Sequence, residues 1–399
     1  MSEKTKILVV DGYLRNSLAI LRSLGPKGYH CDIIVQEHAV KPYGLFEKAF
    51  RSKYAKKVHT LNRTSEEQLV KNFLKILEAG NYKCMMAGGT YFSNFISKYK
   101  EEFSKYTQVL SESHEKMAKV HNKESCMALA DSIGVRIPKT YVAHNETDLI
   151  KIAEETDGNV IVKLEDSFAS KGLIKYTQGK QFFIDNYKRD FGFNINETNK
   201  PLVQQFIEGD LIDATAFAVD GDTKAVLTQK RVLTAWLEGG GGIVNITNDV
   251  ADIKAGAKKM LEHLNWTGHI EMDWIQDKSS GDSYLIEINP KFWGTTQLTI
   301  SSGYDYPYWY VKHALGEPIE YPETYTQGLQ YRWLDDELVT ILTQPKSIGS
   351  FFCEIGKSLG RFFASNTKTN FFITDPKPFV KGLADAKIVI LKTWFFGKK

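Results

Sequence analysis

The region over residues 268–290 constrains the fold more than any other part of the sequence. Residues 268–275 and residues 284–289 alternate apolar and polar side chains, an arrangement that is typical of β-strands. A polar turn that includes Gly281 joins them, and Pro290 ends the second strand because proline cannot donate to a ladder of hydrogen bonds. The sequence therefore predicts an antiparallel hairpin at this point.

The polar positions of this hairpin carry oxygen ligands. Alternate residues of a strand share one face, so Glu271 and Asp273 point the same way, as do Glu287 and Asn289. Pairing of the strands can bring Asp273 opposite Glu287 and Asn289, where the oxygens suit Mg²⁺ that is shared with phosphate groups. Lys291 follows and can reach the same face. The alternative is the polar outer face of an ordinary hairpin.

Composition restricts the class of protein. A chain of 399 residues is expected to form two or three domains, and 42% hydrophobic with 25% charged residues is typical of a soluble enzyme. The formal net charge of +3 gives no reason to expect nucleic acid as a partner. The sequence predicts neither a signal peptide nor a membrane span, so a cytoplasmic protein is expected. The cysteines are expected to be free thiols: Cys31, Cys84, Cys126 and Cys353.

Strand-like and helix-like patterns alternate through the first hundred residues. They occupy residues 6–10, 14–24, 31–35, 65–79 and 84–87. Such alternation predicts a parallel sheet with crossover helices. The turn after the first strand lacks the glycines of a dinucleotide site. This domain therefore either serves as a scaffold or presents Tyr13 and Arg15 to a substrate at the carboxyl end of that strand.

The middle of the chain has a mixed pattern. A helical stretch is predicted over residues 112–134, and a long antiparallel stretch over residues 213–232. Between them, strands and helices are predicted at residues 140–143, 146–155, 160–164, 181–187 and 202–207. A helix over residues 251–264 precedes the hairpin.

The residues Glu-Ile-Asn-Pro-Lys-Phe-Trp-Gly at 287–294 closely resemble the metal-binding end of the ATP-grasp superfamily. That superfamily includes the large chain of carbamoyl-phosphate synthase, D-alanine–D-alanine ligase and many carboxylate–amine ligases. Its usual form is E-[IV]-N-P-R, so Lys291 stands where arginine is usual. The resemblance implies that Asp273, Glu287 and Asn289 hold Mg²⁺, with Mn²⁺ as an alternative, and that ATP is the cofactor.

Two lysines and a loop resemble the superfamily's phosphate-binding elements. The strand over residues 159–163 ends in Lys163, and a buried lysine requires an anionic partner such as a phosphate. The loop over residues 167–172 resembles the loop that covers the phosphates, which implies contacts from Ser170 and Gly172. Lys123 matches a second phosphate-facing lysine; the alternative is a solvated helix lysine.

Residues 201–209 resemble the superfamily's hinge between two lobes, where backbone groups hold the adenine. The resemblance implies that a nucleotide contacts Gln204, Gln205, Phe206 and Ile207. An acidic residue after the hinge usually binds the ribose hydroxyls. Because Leu211 occupies the commonest position for it, Asp210 and Asp213 remain alternatives.

Lys230 and Arg231 precede four consecutive glycines at residues 239–242. Such a run suits either a flexible surface linker or a loop that closes over a reacting group. Superfamily members often carry a basic strand and a glycine loop here, which favours the second reading. The resemblance implies that Arg231 binds the substrate carboxylate or stabilises the transferred phosphoryl group, with Lys291 and Asn289 as catalytic neighbours.

These elements follow the superfamily's order over residues 112–318, and residues 52–54 (Ser-Lys-Tyr) resemble a segment of the domain that precedes them in such ligases. The expected fold is α/β, with α+β in the ATP-binding lobes. The expected parts are a Rossmann-like domain over residues 1–111, an ATP-grasp domain over 112–320 with its small lobe at about 138–207, and a C-terminal helical extension over 321–399.

The function implied by the resemblance is ATP-dependent joining of a small-molecule carboxylate to an amine through an acyl phosphate, with release of ADP and phosphate. Two alternatives remain open. One is an ATP-grasp carboxylase or phosphorylating enzyme that forms no amide. The other is a nucleotide-binding module without catalytic activity. The sequence does not identify the acid or the amine.

The C-terminal region is basic and aromatic. Residues 346–399 contain ten Lys or Arg and three Asp or Glu residues. Apolar residues near helical spacing are Phe351, Phe352, Ile355, Leu359, Phe362 and Phe363. Three roles are open: an amphipathic helix packed on the protein's own core, a peripheral contact with anionic lipid or a lipid-linked substrate at the inner face of the membrane, and a homodimer interface.

Overall fold

Three β-sheets and the helices around them make up the structure. The computed structural model describes residues 4–36, 49–62, 64–164, 173–193, 201–235, 241–344 and 347–396. The first sheet is N-terminal, the second belongs to a small lobe, and the third extends from the middle of the chain into its C-terminal region.

The N-terminal sheet is parallel. Its strands lie in the order β3–β2–β1–β4 and are β1 (Lys6–Val10), β2 (His30–Gln36), β3 (Ala55–Leu61) and β4 (Cys84–Ala87). The helices here are α1 (Arg15–Leu24), α2 (Glu66–Gly80), α3 (Thr90–Lys98) and α4 (Lys100–Phe103). Strand β1 is covered on both faces, since Ile7 and Val9 pack into one hydrophobic cluster and Leu8 and Val10 into another. The predicted parallel sheet is confirmed.

A four-stranded antiparallel sheet forms the small lobe. Helices α5 (His114–His121) and α6 (Lys123–Ser132) precede it. The lobe consists of β5 (Thr140–Tyr141), α7 (Glu146–Thr156), β6 (Val160–Leu164), β7 (Leu173–Tyr176), α8 (Lys180–Asp190) and β8 (Pro201–Gln205). The predicted single helical stretch is two helices because Asn122 has extended backbone angles, and its Oδ1 accepts a hydrogen bond from the Ser125 N–H at 2.8 Å. Lys123 therefore opens a helix.

A seven-stranded sheet carries the predicted hairpin. Its strands are β9 (Gly209–Val219), β10 (Asp222–Thr234), β11 (Gly242–Asn248), β12 (Gly268–Asp277), β13 (Ser283–Asn289), β14 (Gln330–Arg332) and β15 (Thr367–Thr369). They lie in the order β13–β12–β9–β10–β11–β14–β15 and are antiparallel, except for the parallel pair β14 and β15. The helices are α9 (Ala251–Leu264), α10 (Thr296–Ser302) and α11 (Tyr306–Ala314). Because β9 alternates, Ile212 and Ala214 pack in the core with α9 while Asp213 lies on the other face.

The C-terminal region adds three helices and extends the large sheet through β14 and β15. The helices are α12 (Leu334–Thr343), α13 (Ile348–Phe362) and α14 (Lys377–Phe396). Helix α13 buries none of its residues, so a helix packed on the protein's own core is the wrong reading for this segment. None of the described helices combines the length and the hydropathy that crossing a bilayer requires. The predicted α/β fold with a helical C-terminal region is confirmed.

A buried ion pair joins the C-terminal region to the first helix. Arg22 donates from Nε to Asp375 Oδ2 at 3.0 Å and from Nη2 to the Asp375 carbonyl at 2.9 Å. The two side chains are only 3% and 2% exposed. Ser52 also donates to Asp375 Oδ2 at 2.9 Å, and the Lys53 N–H donates to Oδ1 at 3.0 Å. A buried charge that loses its partner keeps its desolvation cost, so the joint is sensitive to either residue.

Replacement of this arginine tests the joint. Arg22→Met is expected to lower the free energy of unfolding by about 3–5 kcal/mol, because Asp375 then stays buried without a cation. Urea denaturation followed by tryptophan fluorescence measures the change. Lys71→Ala is the control, since the Lys71–Glu67 pair on α2 is exposed to solvent and should change stability little. Equal losses in both variants would contradict the assignment.

Candidate active site

Four carboxylates lie close together on the large sheet, and we call them the acidic row: Asp213, Glu271, Asp273 and Glu287. Asp273 on β12 lies opposite Asp213 on β9 and opposite Glu287 on β13. Glu271 precedes Asp273 by two residues and lies opposite Asn289. Carboxylate oxygens of Asp213, Glu271 and Asp273 all lie within 4.8 Å of one another. The register thus pairs Asp273 with Glu287 as expected, whereas Asn289 lies opposite Glu271 rather than Asp273.

Arg231 on β10 balances part of this charge. Its Nη2 lies 2.5 Å from Asp213 Oδ1 and 2.6 Å from Asp273 Oδ2, and its side chain is 8% exposed. Gln229, two residues earlier on the same strand, donates to Asp213 Oδ2 at 3.4 Å. Burial alone would lower the pKa of Arg231, but the charges of Asp213 and Asp273 raise it well above its ordinary value. The guanidinium therefore stays charged between the two carboxylates.

Burial makes the acidic row costly to ionise. It raises the pKa of Asp213 to about 6, although the charge of Arg231 acts in the opposite direction. Burial, followed by the charge of Asp273, also raises the pKa of Glu271 well above its ordinary value. The same two causes raise the pKa of Glu287. A further cation would stabilise the ionised row, since one guanidinium faces several carboxylates.

Lysines from three separate elements face the acidic row. The charges of Lys123, Lys163 and Lys291 each lower the pKa of Glu287, so all three lie within electrostatic range of it. Lys163 on β6 donates to Gln204 Oε1 at 2.7 Å. Burial lowers the pKa of Lys163 to about 8; Glu287 opposes this shift and Lys123 adds to it. The structure thus brings together the lysines that the sequence singled out.

The predicted hinge connects β8 of the small lobe to β9 of the large sheet. The Gln205 N–H donates to the Lys139 carbonyl and the Phe206 N–H to the Asn159 carbonyl, both at 2.9 Å. Those two amides are therefore engaged within the small lobe, and the Gln204 side chain is engaged by Lys163. A cleft beside the hinge is lined by Gln205, Phe206, Ile207, Glu208, Asp277, Lys278 and Ser279. Adenine contact by this segment stays a prediction.

The two candidates for ribose binding lie in different surroundings. Asp213 is buried in the acidic row, where Arg231 holds it. Asp210 is partly exposed next to the hinge and pairs with Lys230, whose Nζ lies 2.5 Å from Asp210 Oδ2. The position of Asp210 favours it for the ribose, and Asp213 is better placed for a metal ion.

The N-terminal domain contacts the end of the glycine run. Arg15 Nη2 donates to the Gly242 carbonyl at 2.7 Å, and its Cζ lies 4.5 Å from the centre of the Trp333 ring. A Cβ at Gly294 would lie 2.6 Å from the same Nη2, so any larger residue there would require the Arg15 guanidinium to shift. Arg15 of the N-terminal domain thus contacts the large sheet directly. Tyr13 is half-buried, and its contact with a substrate stays a prediction.

Sequence reasoning missed Asn245 on β11, which lies opposite Arg231. Asn245 is fully buried, and neither its Oδ1 nor its Nδ2 has a hydrogen-bond partner in the described part of the chain. A buried amide without partners is costly, so it indicates a place for a polar ligand. Glu271 was placed on the face of Asp273 but was not assigned to the site, and Gln229 was missed. Strand alternation with Arg231 could have indicated Gln229.

Some predicted contacts fall outside the described residues. Ser170 and Gly172, in the loop over residues 167–172, are among them. So are residues 236–240 of the segment that contains the glycine run. Their roles stay predictions.

The acidic row fits a divalent cation. Carboxylate and amide oxygens are the ligands that Mg²⁺ prefers. Asp273 Oδ1 is buried and has no hydrogen-bond partner among the residues that the structure describes. Asp213 and Glu271 lie close enough to Asp273 to add to the set predicted from the sequence.

Comparison with known proteins relates this chain to one protein family and to several solved structures. A model of the family described as ATP-grasp in the biosynthetic pathway with Ter operon matches residues 200–337. No curated protein matches the chain at a significant level. The biotin carboxylase domain of the Hydrogenobacter thermophilus 2-oxoglutarate carboxylase, solved with MgADP, ADP and bicarbonate, is similar with a TM-score of 0.64 and 14% identity, over 83% of this chain and 74% of that chain.

Two further solved structures have the same fold. The Campylobacter jejuni biotin carboxylase has a TM-score of 0.62 and 16% identity, over 82% of this chain and 74% of that chain. The N5-carboxyaminoimidazole synthetase of Staphylococcus aureus, complexed with ADP, has a TM-score of 0.59 and 13% identity, over 82% of each chain. The chain therefore shares the fold of these solved structures. The resemblance seen in the sequence is confirmed, with residues 200–337 matching the one family named above.

The lowered pKa of Lys163 predicts a pH dependence for nucleotide binding. Below about pH 8 the charged ammonium is expected to attract phosphate, and above it the neutral amine is not. The Kd for ADP is expected to be constant below pH 8 and to rise by up to about tenfold per pH unit above it. Isothermal titration calorimetry between pH 6.5 and 9.5 measures this. Lys163→Arg should remove the dependence, because arginine stays charged; a dependence that persists in it would contradict the role.

Proposed function

We propose that the protein is an ATP- and Mg²⁺-dependent ligase that activates a carboxylate as an acyl phosphate and joins it to an amine, releasing ADP and phosphate. One observation carries the proposal. Lys123, Lys163 and Lys291 come from separate elements and converge on the buried acidic row. Opposite charges held in this way, in an ATP-grasp fold, suit the binding and transfer of a phosphoryl group.

The lysines and the hinge would hold the nucleotide. Phosphoryl transfer requires positioning and charge neutralisation more than covalent chemistry by the protein. Lys123 and Lys163 would neutralise the α- and β-phosphates. Lys291, which follows the acidic row, would act on the transferred group as a point charge. The hinge would hold the adenine through Ile207 and neighbouring backbone groups, with Asp210 near the ribose.

The acidic row would hold the metal ion through Asp273, Glu287 and Asn289, with Asp213 and Glu271 beside them. Mg²⁺ held by these residues would supply positive charge that offsets the charge on the phosphate groups. The support is the fit already described: clustered oxygens, and a buried Asp273 Oδ1 that no described residue hydrogen-bonds. Mn²⁺ uses the same ligands and is an alternative.

Arg231 and Asn245 would position the substrate carboxylate. Arginine binds carboxylates through paired N–H donors, and the Asn245 amide lies opposite it, buried and without a partner among the described residues. A carboxylate oxygen attacks the γ-phosphorus of ATP and ADP leaves. The amine nitrogen then attacks the acyl carbon, the phosphate leaves and the nitrogen loses a proton. No covalent bond to the protein is required.

A carboxylation reaction is the second candidate. Two of the similar structures are biotin carboxylases, and one of them contains bicarbonate. A nucleotide-binding module without catalysis is disfavoured, because a buried cluster of carboxylates costs stability and would serve no purpose in it.

A screen of substrates tests the reaction class. ADP release is measured with each carboxylate alone, each amine alone, both together, and bicarbonate. Release that requires both partners, with a product mass equal to their sum minus water, is expected. Release that requires bicarbonate in place of an organic carboxylate, with a product mass equal to that of its acceptor plus CO2, would establish the carboxylation reaction and reject amide formation.

Neutral replacements test the acidic row. With the substrate pair found in that screen, Asp273→Asn and Glu287→Gln are each expected to slow ADP formation by at least about a hundredfold, since each removes charge from the metal and phosphate site. Asp222→Asn, an exposed position on β10 of the same sheet, is the control and should retain full activity. Thermal melting confirms that the variants fold. Unchanged turnover in both site variants would reject the metal assignment.

A further inference from the structure

Helix α13 directs an apolar stripe away from the protein. Ile348, Phe352, Leu359 and Phe362 recur at helical spacing, and Phe363 follows directly. These five side chains are between 59% and 84% exposed. Amphipathic helices of a globular protein ordinarily bury such a stripe. The stripe on α13 therefore marks a surface for something outside the chain.

The polar side of α13 fixes this orientation. Arg361 donates from Nη1 to Glu337 Oε1 at 3.0 Å, and Ser358 Oγ accepts from Arg332 Nη2 at 2.7 Å. Arg332 and Glu337 form a buried ion pair, with Nε and Oε2 2.7 Å apart. Because the polar side is bound to buried charges, the helix cannot turn its apolar side inward without losing the contacts of Arg361 and Ser358 with them.

Helix α14 presents a second exposed stripe. Its members are Val380, Leu383, Ile388, Leu391, Trp394 and Phe395. The opposite side is held by the protein, since Asp385 and Ala386 are buried. Within the stripe, the Trp394 Nε1–H donates to the Leu342 carbonyl at 2.9 Å. Of the 19 large hydrophobic side chains that are exposed in the described residues, 13 lie within residues 348–396. The exposed side chains of α13 and α14 are called the C-terminal apolar surface below.

The charge of this region is strongly positive. Residues 346–399 have a formal net charge of +7, although the whole chain has only +3. All three acids of the region are paired: Glu354 with Lys357, Asp375 with Arg22, and Asp385 with Lys381. Lys387 and Lys392 on α14 are exposed and form no ion pair within the described part of the chain. The positive charge is therefore left for an anionic partner.

We propose that the C-terminal apolar surface docks on an anionic lipid bilayer. Exposed aromatic and aliphatic side chains would enter the boundary between headgroups and acyl chains, and the lysines would contact the anionic headgroups. A second copy of this chain fits less well, because a symmetric contact would bring two regions of +7 together. This docking is independent of the proposed reaction.

Vesicle sedimentation of the full chain tests the proposal. Binding is compared between phosphatidylcholine vesicles and vesicles that contain phosphatidylglycerol, at low and high salt. We expect at least about tenfold stronger binding to the anionic vesicles, weakened by salt. Phe352→Ser with Leu359→Ser should reduce binding more than about tenfold. Lys387→Gln with Lys392→Gln should reduce it about fivefold for each lysine.

Matched controls make the result specific. Ile150→Ser on α7 and Lys71→Gln on α2 change exposed residues of the same types elsewhere, and both should bind vesicles like the unchanged protein. Thermal melting shows that each variant is folded. Equal binding to both vesicle types, or no binding to either, would overturn the proposal. So would a dimer, seen by analytical ultracentrifugation, that the Phe352→Ser/Leu359→Ser variant dissociates while vesicle binding is absent.

Discussion

The shared guanidinium of Arg231, between Asp213 and Asp273, is the interaction on which the site depends. Several carboxylates within 4.8 Å of one another would repel strongly in a buried place, and burial already raises the pKa of Asp213 and Glu271. One fixed positive charge offsets part of this repulsion. The remaining imbalance favours further positive charge at the site, and lysines face the same row.

The pairing of strands in the large sheet fixes the positions of these carboxylates. The acidic row crosses β9, β12 and β13, which are neighbouring strands, so the spacing of the carboxylates follows from the distance between strands. The N-terminal domain holds the segment after β13, because Asn16 donates to the Phe292 carbonyl at 2.9 Å and Arg15 packs close to Gly294. Two domains thus fix the position of Lys291, which lies in that segment.

Buried ion pairs also connect the C-terminal region to the rest of the protein. Arg22–Asp375 and Arg332–Glu337 connect it to α1 and to the large sheet, and Arg361 joins α13 to the second pair. Because these contacts use the polar side of α13, the apolar side is left outside. A buried ion pair need not raise the free energy of unfolding, but its two side chains must keep one relative position.

The sequence by itself determined the local elements and the chemistry that they carry. Strand alternation has a period of two, so it placed Asp273 and Glu287 on one hairpin and predicted their pairing. The parallel N-terminal sheet and the ATP-grasp resemblance were also readable from short motifs. Tertiary structure alone decided that Asp213 and Arg231 join the acidic row, that Lys123 and Lys163 face it, and that α13 turns its apolar side outward. Those outcomes depend on strand order and on ion pairs between residues far apart in the chain, which no local periodicity encodes.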